Sequence, residues 1–494
     1  MNIKEAKNYI KDTVSAYLKK DEFGDYRISV ERQRPIFMIG APGIGKTAIM
    51  GQIAEELNIA LVSYSMTHHT RQSALGLPFI KEKKYGDSTV SVSEYTMSEI
   101  IASVYDTMEE SGIKEGILFL DEINCVSETL YPSMLQFLQY KVFGKHTVPQ
   151  GWVIVTAGNP PEYNRAVREF DVVTLDRLKV LRVEADYPAW KAYALASDIH
   201  GAITGFLESN KESFYKVETT VYGKNYVTAR GWEDLSDMIK LYEEDDKPVT
   251  DSLTCQYITD EKTAKEFSAY YDLYNKYKRQ YDVEAVFSGN LSDEAMKTAA
   301  SASADERLAL TGLLADTLRS EMKEILEIHR HLAQVRAGVA AVAGAEGGEA
   351  GKKLDQLIDA AKDAMTRRSR AGSLSNAERT RGKRTIKFYT DAKKRIGSGE
   401  NIKDIYNDNV VSLKADVERV LKRTDNLFDG MDKTFGAESN EMLVLVTELT
   451  LGDDTSEFLS DFGSASYEKY NSVLKVGDRA ENLRREIIEL TGLQ

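Results

Sequence analysis

Residues 3–18 carry Ile3, Ala6, Ile10, Val14 and Leu18 at helical spacing, which predicts an amphipathic helix ahead of the first strand. Short apolar runs follow at 35–39, 60–64, 116–120 and 152–156, set among segments of helical composition such as 47–57. Strands and helices therefore alternate to about residue 180, and a parallel sheet covered by helices on both faces is expected. Ligands of such a sheet gather at the carboxyl ends of its strands.

From Tyr187 to about Glu244 the strand signals stop and helical ones replace them, ending in the acidic run Glu243, Glu244, Asp245, Asp246 and then Pro248. A small helical domain is expected there, with a linker after it. The remainder, 250–494, is largely amphipathic helix, broken by the Gly/Ala-rich stretch 337–351 and by 397–399. Apolar spacing within 310–332 and 411–421 suits helix packing or coiled-coil contact. There is no internal repeat.

The chain of 494 residues is long enough for two to four domains. A hydrophobic fraction of 42%, a charged fraction of 29% and only nine prolines favour a globular protein rich in helix. A net charge of -14 argues against a surface that tracks phosphate backbones throughout, because that affinity needs many Lys and Arg contacts. Cys125 and Cys255 form neither a disulfide framework nor a Cys-x-x-Cys pair, so a reducing compartment is expected. The charged N-terminal segment lacks the apolar core of a signal peptide. The apolar stretches 335–345 and 442–451 are too short to span a bilayer, and a cytoplasmic location without a membrane span follows as the expectation. His68 and His69 are adjacent and point opposite ways in an extended segment, and His329 and His331 diverge on a helix, so no zinc site is assigned.

One segment fixes the chemistry. Gly40, Ala41, Pro42, Gly43, Ile44, Gly45, Lys46 and Thr47, followed by Ala48, match G-x-x-x-x-G-K-[ST] between a strand and a helix. Backbone N–H groups of such a loop wrap phosphates, Lys46 reaches the β- and γ-phosphates of ATP, and the Thr47 hydroxyl can ligate Mg²⁺. The run 116–120 ends in Asp121 and Glu122, which could divide Mg²⁺ binding and water activation between neighbours. Taken alone, Asp121 could equally cap the next helix. The run 152–156 leads to Asn159, Pro160 and Pro161; an Asn there can hold the water or touch the γ-phosphate, although Asn-Pro-Pro alone is an ordinary turn.

These residues resemble the AAA+ superfamily of P-loop NTPases, and within it the MoxR-like branch, over about residues 1–245. The Phe170-to-Leu178 segment and the Val227-to-Trp232 segment follow in that family's order. The resemblance implies an α/β AAA+ nucleotide-binding domain over 1–183, a small all-α lid domain over 184–246 and, beyond it, an α-helical accessory or partner-binding region over 250–494. By matching position Asn159 takes the sensor-1 place, Arg177 the arginine finger and Arg230 the sensor-2 arginine. Arg165 and Arg168 lie on the same segment and are rival fingers. A finger acts on a neighbouring subunit's nucleotide, so a homo-oligomer is implied, most simply a hexameric ring. Also implied is a chaperone-like ATP hydrolase acting on a protein client, commonly one with a von Willebrand factor A domain.

Residues 76–95 alternate around a Tyr-Gly-Asp turn and read as a hairpin, similar to the branch's insertion in helix 2, and 140–146 resembles its hairpin before sensor 1. Residues 366–395 collect eleven Lys and Arg against Glu378 and Asp391. A nucleic-acid arm is one reading; a solvated helical hairpin, or a face docking on an acidic neighbour, is the other, favoured because few aromatics accompany the charge. A nucleic-acid-associated motor and a low-turnover nucleotide-gated scaffold remain the alternatives to the remodelling ATPase.

Overall fold

Alternate residues of three buried strands sort into two separate cores, and this sorting sets the architecture around the P-loop. The computed structural model describes residues 1–474 other than 69–71, 73, 75, 165, 166, 198, 221, 222, 281, 282 and 346–348. Its strands are β1 (Ile36–Gly40), β2 (Ala60–Ser65), β3 (Pro78–Tyr85), β4 (Ser88–Tyr95), β5 (Gly116–Asp121), β6 (Val142–Phe143), β7 (His146–Thr147), β8 (Trp152–Gly158), β9 (Lys179–Val183), β10 (Lys216–Thr220) and β11 (Gly223–Val227). Five of them form a parallel sheet in the order β2-β5-β8-β1-β9.

Successive strand residues point to opposite faces. Phe37, Leu118, Leu120 and Ile154 accordingly enter one core with Phe137. Ile36, Met38, Ile117, Phe119, Val153 and Val155 enter the other, with Ile10, Val14 and Ile53 from helices. A sheet covered on both faces needs such continuous apolar runs. The first helix, Ile3–Tyr17, begins with a capping box in which the Asn2 side chain accepts from the Glu5 N–H while the Glu5 carboxylate accepts from the Asn2 N–H. It buries Ala6, Ile10, Val14 and Tyr17 on one stripe.

Strand β2 lies at the end of the sheet, where unpaired backbone N–H groups need partners. The distant half of the chain supplies one. Helices Glu349–Arg370 and Asn376–Gly397 are joined by a short turn, and the Ala371 carbonyl in that turn accepts the Leu61 N–H at 2.8 Å. Ala371 is fully buried in the core that holds Ala60 and Val62. Residues Lys352–Asp391 therefore form one compact unit with Met1–Asp186, and Tyr187–Gly351 with Ala392–Gln494 form the other. The stretch 250–494, expected as one region, is shared between the two units. Helical periodicity tells which face is buried but not against what, so the sequence pattern does not register this division.

The second unit is built on the 40-residue helix Ala304–Ala343, packed along the 34-residue helix Ile402–Phe435. Gly201–Ser209, Asn440–Leu451 and Asp453–Phe462 pack on the same long helix. Its buried Leu310, Leu314, Leu318, Met322 and Ile325 follow the helical repeat. Two sequence expectations change here. Strands do not stop at Tyr187: β10 and β11 pair antiparallel, with Lys216 opposite Val227, so the lid segment holds a small hairpin beside its helices. Five-residue strands offer too few apolar positions to stand out from helical flanks, and cross-strand hydrogen bonds settle the matter. The Ala/Gly-rich break also begins later than residue 337, because alanine extends the helix to Ala343 and the glycine at 344 ends it. Among the described residues no helix is long and apolar enough to cross a membrane.

Candidate functional site

Strand β1 ends at Gly40 and the helix Ala48–Leu57 starts at Ala48, so the loop between them lies at the carboxyl edge of the sheet. Gly43 and Gly45 hold φ of 72° and 95°, conformations open to glycine that turn successive backbone groups around a concave loop. Lys46 is buried. Its Nζ donates to the carbonyls of Gly40 and Ala41, each at 2.7 Å, and to Asn159 Oδ1 at 3.0 Å. Lys46 and Asn159, 113 positions apart, thus meet at one point.

Parallel pairing of β2 with β5 places Ser65 opposite Asp121, and pairing of β5 with β8 sets Leu120 beside Thr156. The acidic pair therefore emerges beside the loop. Thr47 Oγ1 donates to Asp121 Oδ2 at 2.8 Å, while Asp121 Oδ1 accepts the Glu122 N–H at 2.9 Å. Glu122 sits at φ 54°, a strained setting for a side chain with a Cβ. Its Oε2 accepts from Ser65 Oγ at 3.1 Å and from Thr67 Oγ1 at 3.0 Å. Asn124 Nδ2 donates to the Asn159 carbonyl at 2.8 Å, which ties the two polar strand ends together. Burial, together with Glu122 and Asp121 nearby, pushes the Cys125 thiol up and keeps it protonated.

The residues present suit a magnesium nucleotide. The loop offers a glycine-shaped anion cradle and a buried ammonium, and the Thr47 hydroxyl and Asp121 carboxylate form the hard oxygen pair Mg²⁺ takes. Ser65, Thr67 and Asn124 were not singled out from sequence. The signal for the first two was their place at the carboxyl end of a buried strand, where ligands of such sheets collect.

The arginines stand elsewhere. Arg177 is the exposed C-cap of the short helix Val172–Asp176, and its Nη1 donates to Gln139 at 2.7 Å. It lines a cavity of about 140 Å³ with Leu135, Leu138, Asp171 and Val173. Arg168 pairs with the exposed Glu128 while its N–H donates to the Asn124 carbonyl at 2.9 Å. Arg165 lies outside the described residues, as does His69. Arg230, in the second unit, is exposed in the first turn of the helix Ala229–Glu244, whose N-cap Thr228 accepts from the Gly231 N–H.

Both expected hairpins are present, and they are joined. β3 pairs with β4 and β6 with β7. Glu94, buried on β4, bonds to Lys145 in the second hairpin and to Lys83 on β3; these two cations hold its carboxyl down to about 2, Lys145 contributing most. His146 Nε2 lies 3.3 Å from the Tyr95 carbonyl. Beyond this anchor Phe79, Ile80, Tyr85 and Val90 are exposed. At the base of the second hairpin Lys141 is buried with Nζ 3.2 Å from Gln33 Oε1, and burial lowers its pKa to about 8 against a smaller opposing pull from Glu31.

Residues 36–175 match the family described as ATPase family associated with various cellular activities (AAA). No curated protein matches the chain. With four of the five sheet strands, the glycine loop after β1 and the acidic pair at the end of β5 all inside that span, residues 36–175 form an AAA ATPase domain carried in a longer, mostly helical chain.

Proposed function

We propose that the chain hydrolyses ATP at the subunit interfaces of a ring, most simply a hexamer, and uses the cycle to remodel or activate a partner protein. The observation that carries this reading is the meeting of Lys46, Thr47, Asp121, Glu122 and Asn159 at the carboxyl edge of one sheet. Lys46 and the loop N–H groups bind the phosphates, and Thr47 and Asp121 hold Mg²⁺. Bound Mg²⁺ supplies charge neutralisation on the phosphate oxygens. Glu122 takes a proton from the attacking water, and Asn159 fixes that water or the γ-phosphate. Arg177, exposed and bonded to Gln139 within its own chain, acts as the finger toward the neighbouring subunit's nucleotide. Arg230 senses the nucleotide from the lid segment.

In this reading the protein is a MoxR-like remodeller in the cytoplasm, its client a protein with a von Willebrand factor A domain. The exposed Phe79, Ile80, Tyr85 and Val90 on an anchored hairpin favour a protein client. The basic stretch favours it too, because part of its charge is internally committed. Arg368 binds Asn58 and Glu378, and Arg395 binds Glu400 and Asp408.

The test measures ATP turnover and particle mass together for wild type, Glu122→Gln and Arg177→Ala. A turning-over ring, a Glu122→Gln form that binds without turnover and an Arg177→Ala form that assembles but stalls are the expected results. A monomer whose activity is unchanged in Arg177→Ala would overturn the shared site. DNA- or RNA-stimulated, salt-sensitive turnover would instead favour the nucleic-acid motor.

A further inference from the structure

The turn that closes the edge of the sheet grips both β2 and the helix that follows the P-loop. Ala371 holds β2 through the Leu61 N–H. Ser375 Oγ donates to Glu55 at 2.8 Å, and Arg368 reaches Asn58; Glu55 lies in the last turn of the helix that follows the P-loop, and Asn58 is its C-cap. Arg368 is itself braced by Glu378 across the turn. Gly372 holds φ +66°, and a Cβ there would lie 2.5 Å from the Leu61 carbonyl oxygen, so the turn approaches β2 as closely as a backbone can.

About 13 Å farther along β2, at roughly 3.3 Å per residue, the strand delivers Ser65, and Thr67 follows. Both hydroxyls donate to Glu122 Oε2. Both bonds fall on the same carboxylate oxygen. The order of contact is therefore turn, edge strand, hydroxyl pair, catalytic carboxylate.

We propose that the helical hairpin 352–391 positions Glu122 through β2, so that this arm of the C-terminal half sets the rate of hydrolysis without touching nucleotide. The proposal rests on Glu122 being the base of the ATPase reading. Arg368, Gly372 and Ser375 are positioning residues, and Ser65 and Thr67 are the end of the lever.

The experiment uses the full chain as wild type, Gly372→Val and the milder Arg368→Ala, with three readouts: amide exchange over 61–67, affinity for a fluorescent ATP analogue with Mg²⁺, and kcat. Both variants should loosen 61–67, lower kcat by about tenfold and leave nucleotide affinity within about twofold. If 61–67 loosens while kcat stays at the wild-type value, or if it does not loosen in either variant, the proposal is overturned. A wild type that binds nucleotide without turnover sinks the ATPase reading and this inference with it. Should Gly372→Val fail to fold, Arg368→Ala decides by the same criteria.

Discussion

Thr47 and Asp121, 74 positions apart, share a 2.8 Å hydrogen bond that closes the gap between the P-loop and the acidic strand end. The bond exists because β1 and β5 flank β8 in one parallel sheet and so deliver their ends to the same edge. Thr47→Val removes the donor and the metal oxygen together. Affinity for an ATP analogue should fall about tenfold with Mg²⁺ present, consistent with losing a hydrogen bond to a charged group. With a chelator it should barely change, and an equal loss under both conditions would argue for loop collapse instead.

Ser65 and Thr67 both bond to Glu122 Oε2. The double variant Ser65→Ala, Thr67→Val should free the carboxylate to rotate and lower kcat about tenfold while KM holds, because the lost contact orients a reacting group and binds no substrate. Steady-state kinetics check this. A rise in KM with kcat intact would place the two hydroxyls on the nucleotide instead.

Lys141 is buried with its pKa lowered from 10.5 to about 8 by desolvation. Below pH 8 it is charged in both the folded and unfolded chain, and the full burial penalty weakens the fold. Between about 8 and 10.5 the folded chain sheds the proton first, so this residue's penalty fades as pH rises. The gap corresponds to about 3 kcal/mol, set against about 1 kcal/mol for the bond to Gln33. Lys141→Met should therefore stabilise the protein by about 2 kcal/mol at pH 7, with the advantage gone by about pH 10.5. Denaturant melts at the two pH values measure it, and a destabilised variant at pH 7 would contradict the assignment.

Glu94 joins the two hairpins through Lys145 and Lys83. Its carboxyl lies at about 2 in the folded chain against an ordinary 4.5, so its contribution is complete above about 4.5 and is lost as pH falls toward 2. Glu94→Gln should raise amide exchange over 78–95 at neutral pH, and acidification should do the same to wild type. Equal exchange in variant and wild type at pH 7 would show that the backbone contact of His146 suffices.

Four of the five sheet strands, the P-loop, the acidic pair and the two projecting hairpins could be read from the chain, because each is written in a local pattern; β9, Lys179–Val183, was not among the strands expected. Asn159 could be proposed for the same reason, as a polar residue just beyond a buried strand. The β10–β11 hairpin was missed because five-residue strands leave a weak trace between helices. Ser65 and Thr67 were passed over because hydroxyl residues mark no motif by themselves; their role exists only once β2 stands beside β5.

The sequence alone determined the elements and the chemistry: apolar runs deep enough for a two-sided sheet, and a glycine loop with Lys46 and Thr47 that few other uses explain. Only the tertiary structure decided the partners. That Arg177 bonds to Gln139, that Glu122 is held from β2, and that the turn at Ala371 closes the sheet edge opened by Leu61 are all relations between distant residues. The reason is physical. Local pattern records which side chains must leave water, whereas hydrogen-bond partners are settled only when packing brings unpaired groups of different segments within about 3 Å.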